Sequence, residues 1–137
     1  MILEEDSLMH FRYDTITHIL SITWPDLTHT PMPEIEDTLQ KLASNIQNYD
    51  VRLMLADHRS GYKILGDEKY RSAIENYHRR LAETNLEKVA RLIPDEPAWE
   101  YMLTSYSKEL QQKLHLKFKI RFFTNKTEAM AWLKEGS

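Results

Sequence analysis

Residues 114–122 read L-H-L-K-F-K-I-R-F, and residues 124–136 read T-N-K-T-E-A-M-A-W-L-K-E-G. The first stretch alternates apolar and polar residues without a break. Such alternation predicts a strand with one buried face, because successive side chains point to opposite sides. The second stretch has the marks of a short helix. Asn125 followed by Glu128 is a capping-box pairing, and Gly136 stands where a helix-ending glycine belongs. The chain therefore closes on a strand–helix unit.

The same unit recurs upstream. Leu8–Tyr13 reads as a strand with Met9, Phe11 and Tyr13 on one face. Asp14, Thr15 and Thr17 suit a turn, and Ile19–Trp24 is a second strand with Leu20, Ile22 and Trp24 on one face. A connection this short implies an antiparallel hairpin. After Pro31 and Pro33, Ile35, Leu39, Leu42, Ala43, Ile46 and Tyr49 recur at helical spacing. Val51–Ala56 is a nearly unbroken apolar run, as expected of a strand covered on both faces. The segment D-H-R-S-G-Y-K-I-L-G, 57–66, reads as a loop. Asp67 then caps a helix whose buried stripe is Tyr70, Ile74, Tyr77 and Leu81. Leu86–Ile93 is the fourth strand. Asp95 is the expected cap of the next helix, with Pro97 in its first turn and a stripe of Trp99, Met102, Tyr106, Leu110 and Leu114. The order β-β-α-β-α-β-α-β-α predicts one α/β domain over residues 1–137. Its sheet is mixed and five-stranded, with one antiparallel edge strand, the rest parallel, and about four helices. Lys117, Lys119 and Arg121 share one face of the closing strand, which places that strand at an edge or leaves part of a sheet face open.

Composition removes several classes of function. The 137 residues contain no cysteine, which excludes disulfides, thiolate nucleophiles, Fe–S clusters and cysteine zinc sites. The net charge is −3 with both signs interspersed, so nucleic acid is not an expected partner. The start, M-I-L-E-E-D-S, has neither a basic nor an apolar leader region, and no apolar run is long enough to span a membrane. A soluble, cytoplasmic protein is expected. Three glycines, at 61, 66 and 136, cannot build a phosphate-binding fingerprint, and the histidines at 10, 18, 29, 78 and 115 lack metal-ligand spacing. No cofactor, no metal and no catalytic residue is expected.

The loop at Asp57, His58, Arg59 and Ser60 is the leading candidate site. It follows a parallel strand, and ligands of open α/β sheets gather at the carboxyl ends of strands. Asp57, His58 and Ser60 lie too close in one loop to line up as a hydrolase relay. Arg71 and Arg79 on the following helix could add charge toward an acidic partner. Tyr77, Trp99 and Tyr106 lie on buried stripes, where their polar tips need partners; a cavity between helices and sheet could use them to hold an amphipathic ligand. Paired edge strands would give a homodimer; otherwise the chain is a monomer.

The hairpin ending in Trp24, V-R-L-M-L-A-D at the third strand, K-V-A-R-L-I at the fourth and F-F-T-N-K-T-E-A-M-A-W-L at the close together resemble the SpoIIAA/STAS-like group, in particular its single-domain bacterial members. The fold is shared with lipid-binding CRAL-TRIO domains. The resemblance covers nearly the whole chain and implies a sheet in near-sequential strand order. It implies a non-enzymatic regulatory or protein-interaction module, with a small-molecule or lipid-like ligand-binding protein as the alternative. The group's phosphorylation motif corresponds to Asp57-His58-Arg59-Ser60-Gly61, where Ser60 and Gly61 match and Asp57 stands one residue out of register.

Overall fold

The structure is a computed structural model, and it describes residues 8–135. The opening residues, read as lacking a leader, and Gly136, read as ending the last helix, lie outside the described residues. Eleven elements follow in order: β1 (His10–Asp14), β2 (Ile19–Thr23), α1 (Met32–Asn48), β3 (Leu53–Asp57), the one-turn α2 (Lys63–Gly66), a 3-10 turn (Glu68–Tyr70), α3 (Arg71–Leu81), β4 (Lys88–Leu92), α4 (Pro97–Leu114), β5 (Lys119–Phe123) and α5 (Lys126–Lys134). The five strands form one sheet in the order β1-β2-β3-β4-β5. β1 is antiparallel to β2, and every other pair is parallel. The α/β class, the mixed five-stranded sheet and its antiparallel edge strand are as the sequence implied.

Side-chain parity builds two cores. Leu20, Ile22, Met54, Ala56 and Val89 point to one face and pack with Ile35, Leu39, Leu42 and Ile46 of α1 and with Ile74, Tyr77 and Leu81 of α3. Ile19, Leu55, Ala90 and Leu92 point to the other face, where Ala129 and Leu133 of α5 meet them. β3 is thus covered on both sides, which explains its unbroken apolar run. Among the described residues α5 alone covers the second face. Among the described residues nothing covers the outer face of the β1–β2 hairpin beside it, where a groove of about 410 Å³ is edged by Arg12, Ser21, Lys126 and Met130.

Local chemistry sets the boundaries. At the hairpin, Asp14 Oδ1 accepts from the amides of Ile16 (2.8 Å) and Thr17 (3.2 Å), and His18 takes a left-handed conformation (φ 60°). Asn125 Oδ1 accepts from the Glu128 amide at 3.1 Å and caps α5 as expected.

Several expectations are corrected. The alternating stretch from Leu114 is not one strand. α4 runs through Leu114, His115 ends it at φ 52°, and β5 begins only at Lys119. Burial still alternates, with Leu116 half-buried, Phe118 buried and Lys117 and Lys119 exposed. Alternation reports an extended chain lying on a core, whether or not a neighbouring strand bonds to it. β5 does stand at the sheet edge with its basic side chains outward. The described residues form five helices rather than four, because residues 63–66 of the expected loop form a turn of helix. Asp67 caps the 3-10 turn, through Lys69 N at 3.0 Å, and α3 follows directly. Glu96 rather than Asp95 precedes α4, with no side-chain cap. The buried line of α4 is Leu103, Ser107 and Leu110; Trp99, Tyr106 and Leu114 flank it half-buried, and Met102 is exposed. Tyr49 lies past the end of α1 and is exposed.

Candidate functional site

The loop after β3 splits between surface and interior. Asp57 ends the strand and is tied to Arg59, whose backbone N and Nε donate to Oδ1 at 3.0 Å each and whose Nη2 donates to Oδ2 at 2.8 Å. Partial burial pushes the Asp57 carboxyl pKa up, but these bonds and the Arg59 charge outweigh it and hold the group below its usual range. Arg59 is correspondingly held above its own. A two-pronged pair of this kind fixes the geometry of the loop. Ser60 is exposed. Gly61 closes the loop against the end of β2: a Cβ there would run into the Pro25 carbonyl oxygen and stand 2.8 Å from the Trp24 carbonyl oxygen. Only glycine lets the two backbones meet.

His58 turns inward and is fully buried. Its backbone N donates to Leu92 O at 2.8 Å, and its ring lies 4.5 Å from Trp24. Nε2 accepts from Arg91 Nη1 at 3.0 Å. Arg91 is itself buried, 2% exposed, on the helix-covered face of β4. Its Nη2 donates to His78 Nε2, also at 3.0 Å. His78 Nδ1 donates to Ile74 O at 2.7 Å, so Nε2 is left as the acceptor and the ring is neutral. Burial first, and then the neighbouring guanidinium, lower the His78 pKa to about 3 and hold His58 well below its usual range. Burial also pushes the Tyr77 phenol up, and its ring stands against Trp24 and His78. The result is a buried block of Trp24, His58, Tyr77, His78 and Arg91 in which one cation is bridged by two neutral imidazoles.

The remaining candidates lie apart from this block. Arg71 stacks over the Tyr106 ring at 4.8 Å. Arg79 donates to Glu75 at 2.7 Å and to Asn76 at 3.3 Å on its own helix. Trp99 meets Tyr62 edge-on at 4.9 Å. Asp57, His58 and Ser60 are not brought together: Asp57 is held by Arg59, the His58 lone pair is spent on Arg91, and Ser60 faces outward. Tyr106 borders a cavity of about 20 Å³ between β4–β5 and α3–α4, whereas Tyr77 and Trp99 do not. The Tyr106 and Ser107 hydroxyls are enclosed without a hydrogen-bond partner among the described residues. The same residues contain no cluster of His, Asp or Glu able to hold a metal ion, and none of their helices is long and apolar enough to cross a membrane.

Sequence reading missed Arg91, took His58 for part of the loop site and gave His78 no role beyond its lack of metal-ligand spacing. The signal available was K-V-A-R-L-I itself: a lone arginine inside an apolar strand must find acceptors, and histidines are the ones supplied. A second feature lies outside, on α4. Met102 is 38% exposed and continues the side of the helix that carries the half-buried Trp99 and Tyr106, while Tyr101, 77% exposed, points away from it. Comparison with family models, curated proteins and solved structures gives no match to this chain.

Proposed function

We propose that the protein is a non-enzymatic regulatory or protein-interaction module of the SpoIIAA/STAS-like type. Its partner surface is formed by the Arg59–Ser60 loop and the outer side of α4. The observation that carries this reading is the exposed Met102 beside the edge-on pair Trp99 and Tyr62, with the exposed Tyr101 further round the same helix. Aromatic residues and methionine are enriched at protein interfaces, where they supply contact area at low entropic cost. Tyr62 follows directly on Gly61, so the exposed Arg59 and Ser60 border this surface with a fixed cation and a hydroxyl. The sequential strand order agrees with what the family resemblance implies, which supports the module without identifying its partner.

The ligand-carrying alternative has less support. The space between helices and sheet is about 20 Å³, whereas small-molecule sites run to roughly 300–1,000 Å³. The test is partner capture with the full chain from its own cells. Tyr101→Ala with Met102→Ala, and separately Arg59→Ala with Ser60→Ala, should each lose the captured protein while keeping the wild-type melting profile. Unchanged capture by both pairs of substitutions would end the proposal.

A further inference from the structure

We propose that the free edge of β5 binds an extended peptide as an added strand, and that the peptide it takes alternates acidic and apolar residues. The site shares no residue with the partner surface described above and does not rest on that reading.

The ladder shows which backbone groups are available. β5 ends the sheet and, among the described residues, pairs with β4 alone. Lys119 N donates to Glu87 O at 2.9 Å, and Phe123 O accepts from Ile93 N at 2.9 Å. Alternate residues of a parallel strand bond the same neighbour, so Lys119, Arg121 and Phe123 are the ones turned toward β4. The amides and carbonyls of Ile120 and Phe122 point the other way, where no described strand meets them. An added strand draws its affinity from free ladder groups of this kind and its specificity from alternate side chains.

The side chains say which strand fits. Lys119 and Arg121 lie on the α5 face of the sheet, in register with Lys88 and Ala90, and Lys117 precedes them at the same spacing. All three cations are exposed, and none forms an ion pair among the described residues. Arg121 lies over the Phe123 ring at 5.2 Å, which keeps its guanidinium close to the strand. Lys88 adds charge beside Lys119 rather than balancing it, since its Nζ donates to the Trp132 and Glu135 carbonyls at 2.9 and 2.6 Å. On the opposite side of the strand, Ile120 and Phe122 are half-buried against the main core and leave apolar surface at the rim. A strand laid along this edge therefore meets cations on one face and hydrocarbon on the other. Opposite charges facing each other across a ladder stabilise it, and like charges do not.

The same pattern turns other occupants away. Charge on an edge strand keeps sheets from joining, and here the charge has one sign. Two copies of β5 paired antiparallel about Ile120 would set Lys119 against Arg121 twice over; paired about Lys119 or Arg121, they would set like against like. The row repels a second copy and attracts an acidic strand. A nucleic acid would satisfy the cations but use neither the ladder groups nor the apolar rim, and the chain carries a net charge of −3. The β1 edge has no such bias, because Arg12 and Asp14 stand together on one of its faces.

The experiment is amide hydrogen exchange of the full chain, read by NMR, with a synthetic peptide alternating glutamate and valine at about 1 mM. The Ile120 and Phe122 amides should exchange quickly in the free chain and slow about fivefold or more with the peptide. The Lys119 and Arg121 amides, already bonded to β4, should not change. A peptide alternating lysine and valine should leave all four as they were. Lys119→Glu with Arg121→Glu, at exposed positions, should weaken the glutamate peptide about tenfold and admit the lysine peptide instead. Absence of protection at Ile120 and Phe122 would overturn the proposal, as would equal protection by the two peptides, a comparison that needs no variant. A preference unchanged by the double substitution would overturn it too. Protection of the same amides by an oligothymidylate but not by the glutamate peptide would overturn it in favour of a nucleic-acid site.

Discussion

Lowering the pH from 7.5 to 5.5 should destabilise this protein by way of His58 and His78. Both rings are buried and neutral, held so by burial and by the Arg91 charge between them; Tyr77 and Trp24 are the other groups packed against them. In the unfolded chain each regains an ordinary pKa of about 6.5. The folded-state values are depressed, to about 3 for His78. The unfolded chain therefore takes up protons as pH falls through 6.5 while the folded chain does not. Stability is full above that value and is lost below it, continuing toward pH 3 for His78. Two such sites together cost about 3 kcal/mol by pH 5.5, a large share of the ~5–15 kcal/mol that holds a domain folded. Urea midpoints at pH 7.5, 6.5 and 5.5 measure the loss. His78→Gln keeps an acceptor for Arg91 and removes one titrating group, so it should halve the pH slope, and His58→Gln should do the same. A midpoint that stays flat to pH 5.5, or a slope indifferent to both substitutions, would refute the reasoning.

Three further outcomes follow from the packing. Gly61→Ala forces the loop off the Trp24–Pro25 backbone and should cost about 1–3 kcal/mol or more, read from the denaturation midpoint; a change within about 0.5 kcal/mol, the range of an ordinary surface substitution, would mean the loop is free to move. Leu133→Ala opens the core under α5 and should cost about 2–5 kcal/mol, with faster hydrogen exchange confined to residues 126–134. Asn125→Ala removes the cap of that helix and should cost about 1 kcal/mol by thermal unfolding, while Asn125→Asp should retain most of the stability.

The order of elements was legible because burial leaves periodic marks. The stripe of α1 and the two-sided run of β3 could be read directly, since each element buries a face that its period defines. α4 was misread because its apolar residues spread around the helix: Met102 and Tyr101 face outward, and Leu103 and Ser107 carry the core position. Leu114–Phe118 was misread because alternation follows burial and says nothing of ladder bonds. The polar interior was illegible for a different reason. His58 and His78 are polar by type, and only the placement of Arg91 across the sheet gives them a reason to be inside. No periodic pattern records a contact between residues thirty-three apart in sequence.

The strictly sequential sheet has a consequence for how the chain assembles. Each strand pairs with the one made just before it, so no step has to wait for a distant partner, and loop closure stays short throughout. A growing chain can add β3 to the hairpin, then β4 to β3, as each emerges. The second core is different: it waits for α5, the last described helix, and until then Leu55, Ala90 and Leu92 lie bare on the sheet. The nascent sheet is therefore most vulnerable to aggregation after β4 has docked and before residues 126–134 arrive, and a chain stopped in that interval should be a strong client for hydrophobic-binding chaperones.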